Sequence, residues 1–139
     1  MREILFRGKR ADNGEWIYGS LLVDYPCCKN GVDETVKLYS ILDFKTNEEE
    51  VKKVEVIPET VGQYTGLTDK NGKKIFEGDI LSYIEEIETR SRGKETLKGI
   101  YEVKFEYCGF SPLDCLACNH LEIIGNIYDN PELLKGCEK

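Results

Sequence analysis

The residues best suited to chemistry are Cys108, Cys115, Cys118 and His120, three thiols and the chain's single imidazole. Cys115-Leu116-Ala117-Cys118 has the Cys-x2-Cys spacing of a chelating knuckle, and thiolates with an imidazole can complete a tetrahedral zinc site. The second half of a finger has no counterpart, however: His120 follows Cys118 almost directly, and Cys108 stands seven residues before Cys115. Two other readings use the same residues. The thiols can pack as small apolar groups, or His120 can act as a base near neutral pH and activate Cys115 or Cys118 in a Cys–His dyad. Among the acids, Glu77 and Asp79 flank Gly78, and strand alternation would put both on one face, where a divalent cation could serve hydrolysis. The plainer reading of that pair is a hydrophilic turn at a sheet rim. No dinucleotide fingerprint, Walker loop, H-E-x-x-H or EF-hand loop is present.

The elements that would position these groups are extended. Ile4 and Phe6 alternate with Glu3, Leu5 and Arg7; Asn13-Gly14 supplies a turn, and a second strand runs from Glu15 to about Asp24, an opening hairpin. Tyr25-Pro26-Cys27-Cys28 ends it. Further strands are expected over Val36 to Phe44, Val54 to Ile57, Ile80 to Ile87 and Leu121 to Tyr128. Tyr101, Val103, Phe105 and Tyr107 alternate cleanly with charged residues and predict a half-buried strand, while residues 88–98 read as a polar connector or hairpin tip. Asn130-Pro131-Glu132 carries a helix-start signal. Gly62, Gly66, Asn71, Gly72, Gly78, Asp79 and Asn126 are expected to shape turns, with Asp69 capping its own turn. The chain is therefore expected to be mainly β with one or two short helices. An N-terminal β region, residues 1–57, packs on a small C-terminal barrel, residues 58–139, whose strands end near residue 130.

Composition narrows the function classes. The chain has 139 residues, 19 basic against 26 acidic, a net charge of −7 and six cysteines. No window nears the roughly 18 apolar residues that cross a bilayer, and the N-terminus carries no export signal. The expected compartment is a reducing cytoplasm, where cysteines are thiols or metal ligands more often than disulfides. Negative charge opposes phosphate backbones. The basic clusters Arg2-Arg7-Lys9-Arg10 and Arg90-Arg92-Lys94-Lys98 read as a solvated face and a solvated loop. Trp16, Tyr18, Phe76, Tyr101, Phe105 and Tyr107 read as core residues, with base stacking as the alternative use.

Four segments carry a family likeness: the opening MREILFRGK, then GEWIYGSL, the long IPETVGQYTGLTDKNGKKIFEGDIL, and the late IIGNIYDNPELL. Together they span Met1 to Leu134 and resemble the YopX family of phage and prophage proteins. The resemblance implies a β-rich fold with an SH3-like barrel in the C-terminal part. It brings no catalytic set and no cofactor. The expected function is a phage or prophage accessory protein acting by protein–protein interaction or self-association, with no membrane and no nucleic acid as partner. Three alternatives stay open: a zinc-stabilised binding module, a weak single-stranded nucleic-acid binder, and a metal-dependent hydrolase.

Overall fold

The computed structural model describes residues 3–25, 27–28, 31–32, 37–43, 51–106, 109–113 and 116–135. Thirteen strands are found among them: β1 (Phe6–Lys9), β2 (Trp16–Asp24), β3 (Cys27–Cys28), β4 (Gly31–Val32), β5 (Leu38–Asp43), β6 (Lys52–Glu55), β7 (Gly62–Thr68), β8 (Lys74–Phe76), β9 (Asp79–Thr89), β10 (Gly93–Glu102), β11 (Lys104–Glu106), β12 (Gly109–Ser111) and β13 (Leu121–Asn126). One short helix, α1 (Glu132–Lys135), and 3-10 turns at Pro58–Thr60 and Cys118–His120 complete the described elements. The chain divides into two compact units, Met1–Tyr64 and Thr65–Lys139.

In the N-terminal unit an antiparallel sheet has the order β6-β5-β2-β1-β7. The opening hairpin pairs Phe6 with Gly19 and Lys9 with Trp16. Directly opposed residues share a face, and this register collects Ile17, Ile41 and Val56 in one core, with Phe6, Leu21, Tyr39, Val54 and Val61 against it. The other face carries Arg7, Lys9 and Trp16, whose ring lies 4.6 Å from the Arg7 guanidinium carbon and 5.4 Å from Lys9 Nζ. These are cation–π distances. Arg7 is only 6% exposed, so the N-terminal basic cluster is not the uniformly solvated face that its charge suggested. Arg10 instead forms an exposed ion pair with Asp12 at 2.7 Å.

In the C-terminal unit β7 neighbours β8, and a separate three-stranded sheet has the order β10-β9-β13. Its core is Ile75, Leu81, Tyr83, Val103 and Leu121, with Phe110, Leu113, Leu116, Cys118 and Ile123 packed on it. Among the described strands, β11 and β12 pair only with each other. The expected SH3-like barrel is not formed. β10 and β13 are both edges of an open sheet, and no described strand joins them to close a ring. The β9–β10 hairpin instead runs on past the sheet. Its ladder continues for ten pairs from Glu102↔Ile80 to Gly93↔Thr89, whereas β13 reaches only as far as Tyr83. Six of the ten pairs therefore extend beyond the three-stranded part of the sheet.

Local alternation also misled in one place. The run from Tyr101 to Tyr107 is no single strand, because the chain breaks between β10 and β11 at Val103. Val103 is buried; its N–H donates to the Asp79 carbonyl and its own carbonyl accepts from Gly78, each at 2.9 Å. Tyr101 and Phe105, expected in the core, are 38% and 60% exposed. Phe105 makes an edge-on contact with Phe110 at 5.1 Å instead. Tyr107 lies outside the described residues.

Candidate functional site

The C-terminal sheet is positioned by one carboxylate. Asp69 sits in the turn between β7 and β8, where its Oδ1 accepts the N–H groups of Asn71 and Lys73, both at 2.9 Å. Its Oδ2 accepts the Ile123 N–H at 3.1 Å, from the middle of β13. Burial alone would raise its pKa, but the three backbone donors, from Ile123, Lys73 and Asn71, outweigh burial and hold the carboxyl below its ordinary value. Lys70 follows, with its N–H on the Leu121 carbonyl at 2.9 Å and its ammonium 3.3 Å from Glu122. That ion pair is about half exposed on both sides, so it orients the side chains more than it stabilises the fold.

This docking opens a shallow cleft lined by Lys70, Ser82, Ile84, Asn119, His120 and Glu122. Behind it, the Tyr83 hydroxyl donates to Glu85 Oε2, and the other Glu85 oxygen lies 3.9 Å from His120 Nε2. The Tyr83 and His120 rings meet edge to face at 6.0 Å. The hydrogen bond to Glu85, together with desolvation and the carboxylate charge, raises the Tyr83 pKa. Glu85 thus accepts from the phenol, with the imidazole near it but beyond hydrogen-bond reach. The trio sets His120 edge-on to the Tyr83 ring, beside the Tyr83–Glu85 hydrogen bond.

Beside the cleft, β9 and β10 form a two-stranded ribbon. Its tip is a three-residue connection from Thr89 to Gly93, with Gly93 at φ +73° and the Arg92 N–H on Thr89 Oγ1 at 3.2 Å. A left-handed residue at that point is what this hairpin length requires, and glycine adopts it without a Cβ penalty. Glu88↔Lys94, Glu86↔Thr96 and Ile84↔Lys98 are directly opposed, so these six side chains share one face. All six are exposed. The face is divided by charge, with glutamates on β9 and lysines on β10. Among the described residues, none of these four charges makes an ion pair. Ile84 is 53% exposed on this face and Leu97 is 44% exposed on the reverse.

The residues expected to carry a metal are only partly placed. Cys118 and His120 lie in the 3-10 turn before β13. Cys118 is a free thiol packed on the core, and burial pushes its pKa up. Cys108 and Cys115 lie outside the described residues. Among the described residues no group of three His, Cys, Asp or Glu side chains is placed to hold a metal ion. The structure puts Glu77 and Asp79 in different roles: Glu77 is half-buried in the turn, while Asp79 is 2% exposed and its Oδ2 accepts the Phe76 N–H at 2.8 Å. Gly66, Gly72 and Gly78 have φ of +89°, +80° and +87°; Gly62 begins strand β7, and Asn71 lies in the Asp69 turn. Asn126 Oδ1 accepts the N–H groups of Tyr128 and Asp129 at 3.0 and 2.9 Å, closing the turn after β13.

Residues 88–98 read as a polar connector or hairpin tip; the tip is there, at residues 90–92, and what that reading missed is the ladder that continues along β10. The signal was there in alternation: Ile84, Glu86 and Glu88 fall on one face, Glu85 and Ile87 on the other, with Gly93 marking the tip.

The family model described as YopX protein matches residues 5–135 of the chain. Among solved structures, protein EF1440 from Enterococcus faecalis is similar, with a TM-score of 0.54 and 22% sequence identity. The likeness covers 96% of this chain and 99% of that one, and at this identity it speaks to the fold alone. No curated protein matches the chain. No helix among the described residues is long and apolar enough to cross a membrane.

Proposed function

We propose that this chain, which belongs to the YopX family, is a phage or prophage accessory protein that works by contact with another protein or with its own copy, and that the β9–β10 ribbon is its contact surface. The observation that carries this reading is the outer half of the ribbon, where Ile84 and Leu97 are 53% and 44% exposed between charged residues. An exposed apolar residue alone means little, since every protein surface carries some. Here the two apolar residues stand on opposite faces of a projecting two-stranded element, and the Ile84 face also carries Glu86, Glu88, Lys94 and Lys98, with no ion-pair partner among the described residues. Exposed apolar area beside charged side chains is a composition that contact surfaces share.

The test is a variant in which both apolar positions become charged, Ile84→Asp with Leu97→Asp. Both side chains already face solvent, so circular dichroism and thermal unfolding should match the parent. The expected result is loss of self-association in chemical cross-linking, or loss of capture of a specific phage or host protein seen with the parent chain. A parent chain that stays strictly monomeric and captures nothing would overturn the reading, as would a variant that associates as well as the parent.

A further inference from the structure

We infer that the occupant of the ribbon face is a second copy of the same chain, seated face to face about a two-fold axis that runs along the ribbon. The inference rests on the contact reading above and names the partner. Its basis is the division of charge. β9 presents Ile84, Glu86 and Glu88 and β10 presents Lys94, Thr96 and Lys98, and the ladder places Glu88 level with Lys94 and Ile84 level with Lys98.

A two-fold axis lying in the contact plane and parallel to the strands sets each residue opposite the partner's copy of its own cross-strand neighbour. Glu88 then faces the second copy's lysine 94, and the symmetry makes that contact twice. Glu86 sits over threonine 96 with a lysine on either side, and the Ile84 side chain lies along the alkyl stem of lysine 98. The alternative axis, across the strands, lays β9 on β9 and sets glutamate against glutamate and lysine against lysine. The face is therefore self-complementary in one arrangement and self-repelling in the other. Pairing of β10 edge to edge is the remaining possibility, and lysines on an exposed edge strand are a common device against it.

Size sets the strength. The five ladder positions from Ile84 to Glu88 span about 17 Å, and two strands with their side chains are about 10 Å wide. This is far less than the roughly 800 Å² per partner of a standard interface. The dimer is accordingly weak, seen at high protein concentration only. Salt acts in two ways. The net charge of −7 on each chain repels at long range, and this is largely screened near 0.1 M salt, where the Debye length is about 10 Å. The close Glu–Lys contacts survive there and fade near 1 M, where it is about 3 Å.

Sedimentation of the full chain over a concentration series tests this at both salt concentrations, with Glu88→Lys, Lys94→Glu and the double reversal beside the parent. The parent should associate near 0.1 M salt and weaken near 1 M. Each single reversal turns both symmetric attractions into repulsions, and should weaken association by roughly tenfold or more, the factor that about 1.4 kcal/mol gives. The double reversal restores opposite charges and should restore association. A parent that remains monomeric throughout overturns the second copy as occupant, while the contact reading is decided separately by capture with the Ile84 and Leu97 variant. Association that ignores both single reversals overturns the ribbon face as the seat of the second copy. Failure of the double reversal to recover overturns the lengthwise axis.

Discussion

Removing the Asp69 carboxylate leaves the N–H groups of Asn71, Lys73 and Ile123 without their acceptor. Hydrogen bonds to a charged group are worth about 1.5–3 kcal/mol, and a buried donor left unpaired costs a similar amount. Asp69→Ala should therefore destabilise the fold by about 3–5 kcal/mol, measured by denaturant unfolding. Asp69→Asn is the sharper test, since it keeps the shape and removes the charge. The folded carboxyl titrates below its ordinary 3.8, so its contribution is fully present above that pH and disappears as pH falls through the lower folded value. The parent should be the more stable protein at pH 7, and the difference between it and Asp69→Asn should shrink below about pH 4. A difference independent of pH would show that the charge is not what holds β13. The residues around this turn suggested a cap, because Asp-Lys-Asn-Gly is strong turn chemistry. The bond to Ile123 spans 54 positions and has no local signal.

At the scale of elements, the strands were legible wherever one face is buried and the other wet. β1 and β2 follow from Asn13-Gly14 and the alternation on either side, because a register slip would turn Ile17 and Leu21 away from their core. Gly19 is a case where packing decides the residue. A Cβ built there would lie 1.9 Å from the Leu42 carbonyl oxygen across the β2–β5 ladder, and backbone cannot yield as a side chain can. Gly19→Ala should cost about 3 kcal/mol or more, at the upper end of overpacking effects, read as a lowered denaturant midpoint. An unchanged midpoint would mean that the two strands are less closely paired than described. Where alternation failed, as from Tyr101 to Tyr107, the reason is that period two reports a face and not a continuous strand. Val103 satisfies its backbone groups with the Gly78–Asp79 turn, and that partner is invisible to a window of a few residues.

The whole molecule was legible as mainly β and as a member of its family, but its closure was not. Strand content follows from local pattern, whereas a barrel depends on which edges meet over long sequence distances. Here the β9–β10 hairpin runs on past β13, and no described strand joins β10 to β13. The same departure exposes the ribbon, so the feature that the barrel expectation missed is the one on which the contact reading depends. The net charge of −7 belongs to this scale too, since it makes any self-contact depend on the local arrangement of charge against the sum.

The most direct measurement is of amide chemical shifts in nitrogen-labelled full chain across a dilution series near 0.1 M salt. Shifts that move with concentration should cluster in Ile84–Glu88 and Lys94–Lys98, and should hold still in the Glu88→Lys variant. Shifts that move elsewhere while the ribbon stays constant, or none that move at all, would contradict the account.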